Sequence, residues 1–404
     1  MRDAFRSLRS KKFRLFFIGQ TISLIGTWMQ RIALPYYIYR TTNSPSLLGL
    51  TDFLGQVPAL FLGMIGGIVA DRFNRKKLFL TTQVLALIQA VLLAMFTNTD
   101  HPVVPVIILL GFFLGVINSF DMPTRNALVP LMLENKEDIS NAIAIIGMMV
   151  NIARILGSSI GGFVIEHFGE YMCFIFNAVS FLFVIITLFF IDIREEKIIK
   201  SNSLIKDLKE IIIFVSKNKN ILITFALFVI TNLLAMPFAV TMTIFARDIL
   251  HQSAKTLGLI LGVIGIGAMV SGMFLASLKN VDLIGKLIPI PALIIGSSYL
   301  IIAFFPYTYT TFIASLLLGM SLTASILLTN TFIQLSVPEF LRGRMMGIYT
   351  SLFIGIAPIG SLIIGLSTEH IGIINTVDLI GFTVLMSGII GSFLIFKKVG
   401  EEHD

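Results

Sequence analysis

Three ionisable side chains set within long apolar runs, where a hydrated charge has no place, are candidates for a central cavity. Arg154 is near the middle of the run 140–165, Arg31 lies past the midpoint of 14–38 with Gln30 beside it, and Asp52 sits in the outer third of 46–69 with Gln56 one helical turn on. An unpaired charge facing hydrocarbon is prohibitive, so Arg154 must face the interior of a helix bundle. Snorkelling towards an interface accounts for Arg31 equally well. Two interior arginines favour an anionic or strongly polar ligand group. The alternative is that Arg154 neutralises Asp52 or Asp121, with the ligand held mainly by apolar and aromatic surface. Asp52 is the best candidate for a proton carrier, because a carboxyl in a weakly hydrated space can trade its charge for a proton. Asp378 mirrors it loosely near the outer end of the last run, where interface placement explains it equally well. Asn151 adds polarity to the fifth run, as do Asn118, Asn177, Asn232, Asn330 and Gln334 elsewhere, some of which serve only to hydrogen-bond between helices.

The elements that must position these groups are twelve apolar runs, at about 14–38, 46–69, 78–97, 103–122, 140–165, 171–191, 221–246, 256–278, 287–304, 308–330, 343–366 and 372–396. Most reach the roughly 17–25 residues that cross a bilayer as a helix. A chain 56% apolar and 13% charged is no soluble domain, and the alternation of β-barrel strands is absent. With both termini placed in the cytoplasm, that side holds 24 of the 30 Lys and Arg, and the other side holds three, Arg40, Arg247 and Lys255. This is the positive-inside pattern of a multi-pass membrane protein. The net charge of +7 is thereby explained by topology beside anionic lipid, with no nucleic-acid partner. The first run is too long for a signal-peptide core and reads as the first span. A single cysteine, Cys173, excludes an intrachain disulfide and a cysteine-based metal cluster. His101, His167, His251 and His370 show no ligand-like spacing, and no phosphate-binding loop of a nucleotidase is present. No metal, no cofactor and no enzymatic activity are therefore expected.

The longest charged loop divides the spans six and six, giving an N-terminal bundle at 1–191, a linker at 192–219 and a C-terminal bundle at 220–404. Within the linker, LIKDLKEIIIFV (204–215) is amphipathic; it reads either as a short interfacial helix or as a solvated connection. The halves are related: GSSIGGFVIEHFG (157–169) and GSLIIGLSTEHIG (360–372) agree at seven of thirteen positions. Two similar bundles about an axis along the membrane normal form an architecture that can rock to expose a central site alternately to each side.

The loop after the second span reads GGIVADRFNRKKL (66–78). Its Gly67-x-x-x-Asp71-Arg72-x-x-Arg75-Lys76-Lys77 resembles the loop motif of the major facilitator superfamily. The resemblance implies a conformational latch made of Gly67, Asp71, Arg72, Arg75, Asp121 and Arg125. Asp71 would lie at the positive N-terminal end of the span beginning near 343, and Arg75 would pair with Asp121. SLKNVDLIGKL (277–287) lacks the full motif, so the latch would be one-sided. Asp121 and Arg125 share a helix face if the fourth span continues through Pro123. DMPTRNALVP (121–130), Asn141-Ala142 and ARILG (153–157) are similar to the branch containing enterobactin-exporter-like and macrolide-efflux-like proteins. Ala153-x-x-x-Gly157-Ser158-x-x-Gly161-Gly162 is similar to that family's antiporter motif, with Ala replacing its first glycine and Ser its proline. As residues, these small side chains allow close helix crossing.

The resemblance covers essentially the whole chain. It implies an all-α fold of twelve transmembrane helices in two six-helix bundles, in a bacterial cytoplasmic (inner) membrane with both termini cytoplasmic. It implies export of a small amphiphilic compound, drug-like or a siderophore, by alternating access in exchange for protons. The other readings are an importer or facilitator of a siderophore or other organic anion, and a membrane sensor or scaffold that transports nothing. The expected partners are a small amphiphilic or anionic substrate, protons and membrane lipids, with the chain acting as a monomer.

Overall fold

In the computed structural model, residues 5–192, 218–275 and 281–401 are described, and every regular element among them is helical. The amphipathic stretch 204–215 lies outside the described residues. The first six long helices are α1 (Lys11–Thr42), α2 (Pro45–Arg72), α3 (Arg75–Thr97), α4 (Val104–Leu128), α5 (Ile139–Phe168) and α6 (Glu170–Phe189). The second series is α7 (Lys219–Leu234), α8 (Phe238–Asp248), α9 (Ala254–Leu275), α10 (Val281–Leu287), α11 (Ile290–Phe304), α12 (Thr308–Ser336), α13 (Glu339–Ile371) and α14 (Ile373–Glu401). Eleven described segments are long and apolar enough to cross a membrane, with α7–α8 and α10–α11 each contributing one. The twelfth is α1, 32 residues long, which misses that measure because Gln20, Gln30 and Arg31 dilute its apolar run.

Local chemistry explains where the helices start and stop. Asn43 closes α1 in the left-handed region, and the Ser44 hydroxyl then caps α2 by accepting from the Leu47 amide, with Pro45 in the first turn. Asn74 does the same for α3 through the Lys77 amide at 2.8 Å. The shared EHxG of the repeat is also a turn. Gly169 and Gly372 both have positive φ, at 85° and 81°, where they join α5 to α6 and α13 to α14. Just before them, His167 and His370 each donate a ring N–H to the carbonyl four residues back, that of Phe163 and of Leu366. The chain stays helical through Pro35, Pro58, Pro123 and Pro358, and breaks at Pro237, between α7 and α8, and at Pro289, between α10 and α11. The Tyr299 hydroxyl donates to the Ala235 carbonyl released by the break at Pro237.

The chain forms two compact units. One contains α1–α6, the other most of the second series, and Gln252–Gly262 belongs to the first. The first turns of α9 were expected with the C-terminal bundle but pack on α5. A Cβ on Gly258 would collide with the Ser158 carbonyl and lie 2.9 Å from the Gly162 Cα. In the first unit, Phe13, Phe16, Phe79, Leu128, Met132 and Leu188 make a sealed apolar cluster at the end carrying the basic loop 70–77. Nearer mid-helix, a buried polar chain replaces it: Asn177 donates to Gln30, Gln30 to Gln89, and Gln89 to the Leu110 carbonyl. These bonds tie α1, α3, α4 and α6 together and satisfy polar groups that would be costly to bury alone. In the second unit, Phe228, Tyr349 and Phe353 stack across α7 and α13.

Candidate functional site

The site in the first unit is organised by the crossing of α1 and α5. A Cβ on Gly157 would stand 2.6 Å from both the Ile25 carbonyl and the Trp28 Cβ, and one on Gly161 would stand 3.1 Å from the Met29 Cα. Ala153 completes this seam beside Leu24, Met149 and Trp28. The small-residue motif is therefore a packing surface on two sides. Gly157 and Gly161 admit α1, while Gly162 admits the start of α9. Ser158, where the resemblance has a proline, keeps the helix regular and donates its hydroxyl to the Arg154 carbonyl at 2.6 Å. The repeat preserves the geometry: Gly360 meets the Leu233 carbonyl at the end of α7 as Gly157 meets α1.

Above this seam sits a cationic cluster. Arg154, sixteenth in the thirty-residue α5, is partly buried and donates one guanidinium N–H to the Asn151 Oδ1 at 2.8 Å. Its guanidinium carbon lies 5.8 Å from the centre of the Trp28 ring. Arg31, one turn after Trp28 on α1, lies 5.0 Å from the same centre and is exposed. Each contact contributes about 0.5–2 kcal/mol of cation–π attraction. The two cations are close enough to repel one another. Buried Arg154 Nε has no hydrogen-bond partner, and neither arginine meets a carboxylate among the described residues. The alternative in which Arg154 neutralises Asp52 or Asp121 is thus corrected. At the position 203 residues on from Arg154, the second half has Ala357, so the cluster is confined to the first half.

Asp52, in the third turn of α2, is partly buried and accepts from the Gln56 amide at 2.7 Å. Asp378 belongs to the second unit, in the second turn of α14, partly buried and without a hydrogen bond among the described residues. Asn177 is taken up by the structural chain through Gln30.

The basic rim departs from the expected pairing. Arg75 does not reach Asp121; it donates to the Asp71 Oδ1 at 3.3 Å and to the Ala70 carbonyl at 3.2 Å. Asp121 is buried and accepts from the Thr82 hydroxyl at 2.8 Å and the Gln83 amide at 2.6 Å, both at Oδ1. Thr82 lies seven residues beyond Arg75, roughly 10 Å further along α3, so Asp121 is too deep for an arginine on the first turn. The α4 helix does run through Pro123, and Arg125 interacts with Asp121 electrostatically, although its buried Nε has no hydrogen-bond partner. Arg72 is exposed, with no partner among the described residues. Gly67 has open space around its Cα; the glycine that closes α2 on α4 is Gly66, against the Ser119 carbonyl.

Four residues escape a reading of the sequence. Trp28 looks like core, although its i, i+3 spacing to Arg31 was available. Thr82 and Gln83 stand opposite Asp121 only once α3 and α4 are packed. Glu170 clamps α1 to α6 at the opposite end, accepting from Arg40 Nε at 2.7 Å and Nη2 at 3.1 Å. No group of metal-ligating side chains occurs among the described residues.

Comparison with known proteins identifies the family and the fold. The family described as transmembrane secretion effector, in the major facilitator superfamily, matches residues 2–404. The staphyloferrin A transporter of Staphylococcus aureus is 21% identical over 92% of this chain and 93% of its own length. The enterobactin exporter of Citrobacter koseri is 25% identical over 95% of this chain and 91% of its own. Among solved structures, a peptide transporter of the POT family in complex with sulfate superposes with a TM-score of 0.77 at 11% identity, over 97% of this chain and 95% of that one. The nucleoside transporter NupG gives 0.73 at 16% identity, over 96% and 98%. Those two likenesses establish the fold, and the family match covers the chain nearly end to end; this chain is a multi-pass membrane transporter belonging to the transmembrane secretion effector family of the major facilitator superfamily.

Proposed function

We propose that the chain exports a siderophore-type, anionic amphiphile across a bacterial cytoplasmic membrane. The observation that carries this reading is full-length similarity to two siderophore transporters combined with a cationic cluster that has no carboxylate partner among the described residues. Transport proceeds by alternating access of the two repeated halves, with both termini in the cytoplasm, the chain working as a monomer and protons moving inward in exchange. Asp52 carries the proton, its carboxylate already sharing a hydrogen bond with Gln56. Asp71 and Arg75, joined to each other, stabilise one closed state from the basic rim. Inward movement is the second reading, favoured by Ser158 standing where the antiporter motif has proline. The test is secretion by cells lacking their own siderophore exporter. Expression of this chain should raise extracellular and lower intracellular enterobactin or staphyloferrin A. A fall outside with a rise inside supports the second reading, and no change in either pool removes both.

A further inference from the structure

We infer that Arg31, Arg154 and Trp28 form a binding site for a molecule carrying at least two carboxylates, with its carbon skeleton lying against the Trp28 ring. The inference rests on the transporter reading in one respect, that the occupant is the transported solute. The two guanidiniums approach one aromatic ring from different helices and repel each other. Proteins rarely keep two like charges together at this depth without compensation, and no carboxylate among the described residues supplies it here. Arg154 offers five N–H donors in a planar fork and spends one on Asn151, while its buried Nε is unmatched. Arg31 is exposed, so its guanidinium is open to an arriving ligand. An arriving ligand therefore meets the exposed Arg31 fork together with the donors Arg154 has left, and guanidinium groups bind carboxylates in bidentate fashion.

Each side chain has a separate part. Two positive charges favour a dianion or trianion over a monoanion of the same shape. Trp28 supplies an apolar wall, so an organic polyanion is preferred to an inorganic one of equal charge. Asn151 positions Arg154 and does not itself select charge. The wall is held in place because Gly157 and Gly161 let α1 settle directly on α5. The corresponding position of the second half is Ala357, so the positive charges of the site come from the first half.

Trp28 is the chain's only tryptophan, so its emission reports this site alone. The experiment titrates the purified full chain in detergent with propane-1,2,3-tricarboxylate, with its trimethyl ester, and with sodium chloride at matched ionic strength. The tricarboxylate should change Trp28 emission saturably, and the ester and the salt should not. Arg31→Gln and Arg154→Gln should each weaken tricarboxylate binding at least tenfold, and Arg154→Lys should recover only part of it. Equal responses to acid and ester, or unchanged affinity in both glutamine variants, overturn the inference. Should Arg154→Gln fail to fold, the exposed Arg31→Gln carries the test. Siderophore secretion that persists in the Arg31→Gln, Arg154→Gln double variant also overturns the site while leaving the transporter reading in place. Charge-selective binding without any transport does the reverse.

Discussion

Two glycines of similar appearance in the sequence should respond oppositely to the same substitution. Gly157→Ala places a methyl group 2.6 Å from the Ile25 carbonyl and 2.6 Å from the Trp28 Cβ, where carbon atoms settle at about 3.5–4.0 Å. Both obstacles belong to or adjoin the α1 backbone, so no rotamer change relieves them. The helices must part by roughly 1 Å, and overpacking of this kind costs about 1–3 kcal/mol. The same displacement moves Trp28 away from Arg154. Gly67→Ala meets nothing within 4 Å and removes the helix penalty of glycine, so it should be neutral or stabilising by up to about 1 kcal/mol. The assay uses the single buried thiol, Cys173, which a fluorogenic maleimide reaches only as the protein unfolds. Gly157→Ala should lower the midpoint by about 5 °C and alter Trp28 emission, while Gly67→Ala should not lower it. A Gly157→Ala protein with an unchanged midpoint and unchanged emission would refute the seam as the support of the cationic cluster.

Other perturbations have equally definite outcomes. Asp121→Ala leaves the buried Gln83 amide unmatched, the Thr82 hydroxyl keeping the Phe79 carbonyl, and should cost about 1–3 kcal/mol, whereas Asp121→Asn retains an accepting oxygen and should cost less than half as much by the same thiol assay. Arg40→Ala strands the buried Glu170 carboxylate; because Arg40 itself is half exposed, the loss should stay near about 1–2 kcal/mol, and Glu170→Gln in the same background should recover part of it. Asp71→Asn should lower turnover more than substrate affinity; unchanged turnover in the secretion assay removes the rim latch.

Much of this fold is legible from apolar runs, because a helix in hydrocarbon must satisfy its own backbone and therefore needs an unbroken run. The breaks are less legible. Pro35, Pro58 and Pro358 look like Pro237, yet of these four only Pro237 ends a helix, where the Tyr299 hydroxyl is present to take the freed Ala235 carbonyl. The EHxG repeat was visible as identity, and its physical content is a turn that needs positive φ at Gly169 and Gly372. At the rim, the motif's residue types were readable but their partners were not. Arg75 sits one turn from Asp71 and two turns from Thr82, and only helix phase decides that Asp121 meets the latter. Phase also makes Gly66, rather than Gly67, the contact with α4. Arg154 stood out because charge at mid-span is costly wherever it points. Trp28 did not, since an aromatic residue in an apolar run carries no mark of Arg154, the cation that approaches it from another helix.

The central claim is tested most directly by solute uptake into vesicles reconstituted with the purified chain, oriented so that the basic loops face outward. With an imposed pH gradient, acid inside, labelled enterobactin or staphyloferrin A should accumulate above its external concentration. Accumulation should collapse with an uncoupler and fall at least tenfold in the Arg31→Gln, Arg154→Gln double variant. Equilibration that ignores the gradient, or accumulation untouched by removing both arginines, would contradict proton-driven export of an anion held at Trp28.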